Sequence, residues 1–288
     1  MGFNLPKVSG EVFFETFPVG PLQCNCSIIA DPITKACVIV DPGGDPERIM
    51  SIVNENDLLV KQIVHTHAHL DHILASAEIK KRTGAPLLLH KGDQFLWDAL
   101  ESQCQRFGIE CGDTSKLDGW LSDEDSLHCC DGVAIHTPGH TNDHLCLWDP
   151  ANGIMFSGDH VLPTITPHIG GITPEADPLS QFFGSLERMT QFENVTTALP
   201  AHGHPFMNLK ERSLEIIDHH QERLQTIRDA SQQLVEGSVT DYMRVLFSER
   251  AWGDMAESET YAHLEHLKEA GELQRASDNG LFTYTNPQ

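Results

Sequence analysis

The stretch His65-Thr66-His67-Ala68-His69-Leu70-Asp71-His72 constrains this chain more than any other. It follows the strand-like run Gln62-Ile63-Val64 and opens a helical pattern in which Ile73, Leu74 and Ala77 share a face. In a loop leaving a strand, His67 and His69 at alternate positions project to the same side, while Asp71 and His72 come from the turn entering the helix. Four donors therefore converge without help from distant packing. Three further signals sit at predicted strand ends: Pro138-Gly139-His140, Ser157-Gly158-Asp159 and Pro200-Ala201-His202. A lone histidine is usually a surface or core residue, but here the exceptions coincide in a chain with 17 of them. Imidazole and carboxylate together suit divalent zinc, iron or manganese, and His67, His69, Asp71, His72, His140, Asp159 and His202 are enough to hold two ions with positions left for water. Two such ions about 3.5–4 Å apart share a solvent molecule and lower its pKa from near 16 towards about 7, so hydrolysis needs no protein nucleophile. Cysteine fits that role poorly. The eight cysteines all precede residue 150 at irregular spacings, including Cys24, Cys26 and the pair Cys129-Cys130, with no Cys-x-x-Cys spacing; they are expected to be small buried hydrophobes.

Strand and helix signals alternate around the motif. Ser27–Ala30 and Ala36–Val40 read as strands stopped by Asp41-Pro42-Gly43-Gly44, Asp45 to Leu59 has helical spacing, and Asp71 sits where a helix N-cap belongs, with Gly84 as the stop before the strand Leu87–Leu89. A polar stretch from Lys91 to Ser126 reads as loop or helix. Strand runs return at Val133–His136, Leu145–Trp148, Ile154–Phe156 and Thr196–Leu199, which makes a layered α/β architecture. From Asn208 to Val235 the chain is helical and charged, with Leu214, Ile217, Leu224 and Ile227 on one stripe and no strand signal. Thr240 is placed to cap a helix through Phe247, a second helix stops at Gly271, and Asp278-Asn279-Gly280 marks a hairpin. Helices followed by a hairpin describe a winged-helix-like module.

With 42 Asp and Glu against 19 Lys and Arg, the formal charge is −23. Such a field repels nucleic acid and anionic lipid, so a neutral or locally recognised small molecule is the expected partner. Neither a secretory leader nor a long apolar span is visible, and the expectation is a soluble, cytoplasmic protein without membrane association.

In the order and spacing of these motifs, residues 20 to 207 resemble the metallo-β-lactamase superfamily, whose His-x-His-x-Asp-His signature is matched by His67 to His72. The resemblance implies a four-layer αβ/βα sandwich with two metals at one edge between the sheets, zinc foremost. It places His67, His69 and His140 on the first ion, Asp71, His72 and His202 on the second, and Asp159 between them. Asp71 is also the candidate to shuttle a proton to the leaving group. Asp41 matches a family position that orients a metal-bound histidine; Thr66 and His144 are further supporting candidates, and His160 and His168 candidates for the pocket wall. His65, His204, His219 and His220 read as structural or exposed. The implied domains are 1–207, catalytic, and 208–288, a helical linker with the winged-helix-like module.

The superfamily spans thioesterases, lactonases, β-lactamases and nucleases. Asp159 stands where the best-known zinc β-lactamases carry cysteine, which demotes antibiotic hydrolysis. Cys24-Asn25-Cys26-Ser27, Val40 to Asp45 and Thr66 to His72 are similar to glyoxalase II-like thioesterases, whereas the segment His160 to Pro167 departs from true glyoxalase II. The expected reaction is hydrolysis of a small-molecule thioester, ester or lactone. The C-terminal region resembles a branch that includes single-strand RNA endonucleases, which makes RNA cleavage the alternative. Yet from Met207 onward there are 8 Lys and Arg against 15 Asp and Glu, the wrong sign for phosphate binding. That module is read as a lid or as a dimerisation element of a homodimer rather than a nucleic-acid binder.

Overall fold

A computed structural model describes residues 12–128, 131–170, 177–278 and 280–287. Two compact units divide the chain: one takes the chain up to Thr137 with Asn142–Ile165 and Phe192–Leu209, the other Pro138–Thr141, Thr166–Gln191 and Lys210–Gln288.

The first unit is built on two sheets. β1 (Phe13–Val19), β2 (Cys24–Ala30), β3 (Ala36–Val40), β4 (Leu59–Val64), β5 (Leu87–Leu89) and β6 (Gly119–Trp120) form a sheet in that order. Its first three strands are antiparallel and β3 to β6 run parallel. The parallel part requires crossovers, supplied by α1 (Pro46–Glu55) between β3 and β4, and by α2 (Leu70–Ile73) and α3 (Ser76–Thr83) between β4 and β5. α4 (Gln94–Asp98) and α5 (Leu100–Phe107) occupy the stretch left open between loop and helix. β7 (Val133–His136), β8 (Leu145–Asp149), β9 (Ile154–Gly158) and β10 (Thr197–Pro200) form the second sheet, in the order β10-β9-β8-β7.

Consecutive residues of β2 and β3 are buried because both faces of their sheet are covered. Ile28 and Ile39 pack with Ile49 and Val53 of α1 and Ile79 of α3. Their neighbours Ile29, Val38 and Val40 join Leu145, Leu147, Phe156 and Leu199 between the two sheets. Each such side chain contributes about 1.5–3 kcal/mol by leaving water.

The helix expected from Asp71 to Gly84 is instead two. The Ala75 amide donates to Pro42 O at 2.9 Å, which takes it out of the helical ladder and breaks α2 from α3. Nor is Asp71 the N-cap: His69 holds that position, and Asp71 lies within α2, its carboxylate released from capping.

The second unit carries α6 (Pro178–Met189), α7 (Leu209–Leu234), β11 (Glu236–Ser238), α8 (Val239–Leu246), α9 (Asp254–Glu269), β12 (Gln274–Asp278) and β13 (Leu281–Thr285). The three strands pair antiparallel in the order β11-β13-β12. β11 falls where no strand signal is visible, since Glu-Gly-Ser has no β-forming residue and is held by β13. The cap of α8 is Ser238, not Thr240: Ser238 and Asp241 form a reciprocal capping box. The stripe of α7 also differs. Leu214 is 46% exposed, and the buried face runs through Ser213, Ile216, His220, Leu224 and Ile227. Among the described residues no helix is long and apolar enough to cross a membrane. Cys129, Cys130 and the hairpin residue Asn279 lie outside the described residues.

Candidate metal centre

Parallel pairing of β3 with β4 sets the C-terminal ends of both strands side by side, the usual place for a site in such a sheet. Asp41 follows β3 in a left-handed conformation, φ 49°, and is buried. Its Oδ1 accepts from the Thr66 amide and its Oδ2 from Thr66 Oγ1, both at 2.7 Å. With its proton so committed, Thr66 Oγ1 accepts from His67 Nδ1 at 3.1 Å. The His67 Nε2 lone pair then faces His69 Nδ1 at only 2.8 Å. The two nitrogens share a hydrogen bond here, and the same pair is placed to serve as ligands of one cation.

His72 repeats the arrangement. Nδ1 lies 3.0 Å from Asp41 Oδ2, and Nε2, fully buried and without a hydrogen-bond partner, lies 3.9 Å from Asp71 Oδ2 and 3.8 Å from Asp159 Oδ2. An imidazole nitrogen stranded between two carboxylates is costly unless a cation satisfies all three. His202, just after β10, closes the group with Nε2 3.2 Å from Asp71 Oδ2 and 3.7 Å from Asp159 Oδ1.

Asp159 is carried by the end of β9. Gly158 has φ 52°, and a Cβ there would sit 2.4 Å from His144 Nε2 and 2.9 Å from the Thr66 side chain, so only glycine permits this approach. The Asp159 amide donates to His144 Nε2 at 3.1 Å, while His144 Nδ1 pairs with Thr137 Oγ1 at 2.8 Å. His144 thus fixes the backbone that presents Asp159. His140 lies on Pro138–Thr141 in the second unit, where its Nδ1 donates to the backbone carbonyl of His168 at 2.8 Å, leaving Nε2 as the nitrogen able to coordinate. The His168 ring faces Glu259 at 3.4 Å, and His160 is buried with its ring 6.0 Å from that of His144. His65 is structural, paired with Leu88 O and Ser76 Oγ at 3.0 and 2.8 Å; His204 is exposed, His219 half-buried and His220 buried.

The electrostatics of this pocket drive its groups apart. Burial would raise Asp71, but His72, His202 and His69 hold its carboxyl well below the usual range. Burial dominates at Asp159, which is pushed up. At His72 and His202 burial pulls the other way and is outweighed: Cys24, Asp41 and Asp71 hold His72 well above the histidine range, and Asp71 and Asp159 raise His202. Carboxylates gathered at this density favour positive charge, on the imidazoles or on a bound cation, and the His202 side chain is partly exposed. The stranded His72 Nε2 and the facing His67 and His69 nitrogens are the donors a divalent ion requires, so the residues fit the metal.

Two contributors escape the motif. Cys24 at the start of β2 brings its sulfur to within 4.8 Å of the donor atoms of Asp71, His72 and His202. Like Cys26, Cys37, Cys104 and Cys146 it is buried as expected, but it is buried against the donors. Asn25 beside it donates Nδ2 to Pro200 O and Gly203 O, both at 2.9 Å, and so clamps the loop that presents His202.

Comparison with known proteins identifies the family. The family model described as the metallo-beta-lactamase superfamily matches residues 19–208. The chain is 36% identical over 149 residues to hydroxyacylglutathione hydrolase GloC of Haemophilus influenzae, covering 50% of this chain and 70% of that protein. A beta-lactamase domain protein from Burkholderia ambifaria superposes with a TM-score of 0.82 at 24% identity, over 99% of this chain and 96% of the other, a likeness of fold. TTHA1623 in its di-iron-bound form superposes with a TM-score of 0.61 at 27% identity, over 69% of this chain and 97% of the other.

Proposed function

We propose, from the premise that this chain is an enzyme of the metallo-beta-lactamase superfamily, that it hydrolyses a small-molecule thioester, ester or lactone using two divalent ions, zinc foremost. Its residues would hold one ion through His67, His69 and His140 and the other through Asp71, His72 and His202, with Asp159 between them. The observation that carries this reading is His72 Nε2, buried without a hydrogen-bond partner and flanked by the Asp71 and Asp159 carboxylates. When bound, such a pair of ions makes water nucleophilic at neutral pH and polarises the acyl oxygen.

The chain supplies the rest. Asp41 and Thr66 fix the tautomers of His72 and His67, so that each presents its Nε2 lone pair inward. Asp71, kept ionised by the imidazoles around it, accepts on a carboxylate oxygen the proton that water gives up and delivers it to the leaving sulfur or oxygen. His144 fixes the backbone that would present the Asp159 carboxylate to the ions. The substrate class draws support from GloC, whose name specifies an acylated glutathione. The C-terminal order helix, strand, two helices, two strands supports a winged-helix-like reading, and its net negative charge supports a lid or dimer contact over RNA binding.

The test is a substrate panel. Metal-loaded protein should cleave acyl thioesters or lactones and leave single-stranded RNA intact at low salt; RNA cleavage without acyl hydrolysis would overturn the proposal.

A further inference from the structure

The first unit holds a second convergence of donors, away from the motif and built from three separate segments. His90 follows β5, His136 ends β7, and Asp143 leads into β8 beside it, because β7 and β8 pair His136 with Leu145. His136 Nε2 lies 2.8 Å and His90 Nδ1 3.1 Å from the same oxygen, Asp143 Oδ1. The two imidazoles stack, centroids 4.7 Å apart and planes 13° from parallel.

This group is held in place by its backbone. The Asp143 amide donates to Oδ1 of the buried Asp93 at 3.3 Å, and the His136 amide to Asp123 Oδ1 at 2.7 Å. A Cβ on Gly92 would fall 1.2 Å from Asp143 Oδ2, so glycine is what lets the carboxylate reach the two rings. Two imidazoles and a carboxylate within 4.8 Å of one another are three of the four ligands of a tetrahedral zinc site, with water as the fourth. The carboxylates of Asp93 and Asp123 add favourable charge, and the three side chains remain between 19% and 30% exposed, open enough for an ion to enter.

We propose that His90, His136 and Asp143 form a further binding site for zinc or a similar divalent transition ion. It clips the end of the six-stranded sheet to the β7–β8 turn, and through Asp143 it steadies His144, the next residue, which presents Asp159. The site shares no residue with the central cluster, so its test compares variants of its own residues. After stripping with chelator, reloading with zinc and gel filtration, the His136→Ala and Asp143→Asn proteins should each carry one zinc fewer than the unaltered chain. His67→Ala/His72→Ala should keep that zinc. Crystals of the unaltered protein soaked in zinc should show an anomalous peak at the zinc edge between His90 Nδ1, His136 Nε2 and Asp143 Oδ1. Equal zinc content in the unaltered, His136→Ala and Asp143→Asn proteins, or no peak at that place, would overturn the assignment.

Discussion

Asp41 illustrates how much of this centre rests on single atoms. Its two oxygens serve the Thr66 amide, the Thr66 hydroxyl and the His72 ring. Asp41→Asn puts a donor where one of these needs an acceptor. We expect metal affinity to fall about 10- to 100-fold, as losses behind a metal ligand do, read by competition with a chromophoric chelator; unchanged affinity would remove Asp41 from the account. Gly158→Ala forces a side chain into a left-handed position against His144 and should destabilise the protein by about 1–3 kcal/mol, measured by urea unfolding. His67, Asp71 and His72 are legible in the sequence because strand and turn geometry gather them locally. His202 and Asp159 are legible only as repeated residues at strand ends. Cys24 and Asn25 were not legible as parts of the site, because their roles rest on contacts far along the chain: Asn25 bonds Pro200 across 175 positions, and no local pattern encodes that.

β3, with clear apolar patterning, is where the sequence places it; β2 begins three residues earlier, at Cys24, and α1 ends at Glu55, with Leu59 opening β4. Ile39, buried on the α1 side of its sheet, should cost about 2–5 kcal/mol when cut to alanine. α7 misleads because its buried face includes Ser213 and His220, so apolar residues alone pick out a neighbouring stripe. His220 is accommodated by His263, whose Nε2 lies 3.0 Å from its Nδ1. β11 was hidden for the opposite reason: its backbone pairing with β13, not its side chains, makes it a strand. Ser238→Ala, which removes the α8 capping box, should lower stability by about 1 kcal/mol, and Ser238→Thr should retain most of it; equal loss in both would show that the box is not what holds α8.

At the scale of the whole molecule, three histidines are buried as neutral groups: burial pushes His65 and His263 down to about 4 and His220 to about 2. Unfolded, each takes up a proton near pH 6.5. For these three groups the unfolded state therefore binds more protons below that pH, and their contribution to stability falls as pH drops from 6.5 towards 4, by on the order of 2 kcal/mol per group at pH 5, against the opposite trend of the raised His72 and His202. Urea unfolding of the unaltered and His220→Gln proteins at pH 7.5 and 5 separates the two: the difference in stability between the proteins should shift in favour of His220→Gln at pH 5, and a difference independent of pH would contradict the burial of a neutral imidazole at this position. Whether the motif holds two ions is read from the difference in bound zinc between the unaltered chain and the His67→Ala/His72→Ala protein, determined by elemental analysis after reloading. Two equivalents, lost together with acyl hydrolysis, is the predicted result; a difference of one or none would contradict a centre in which these side chains hold two ions.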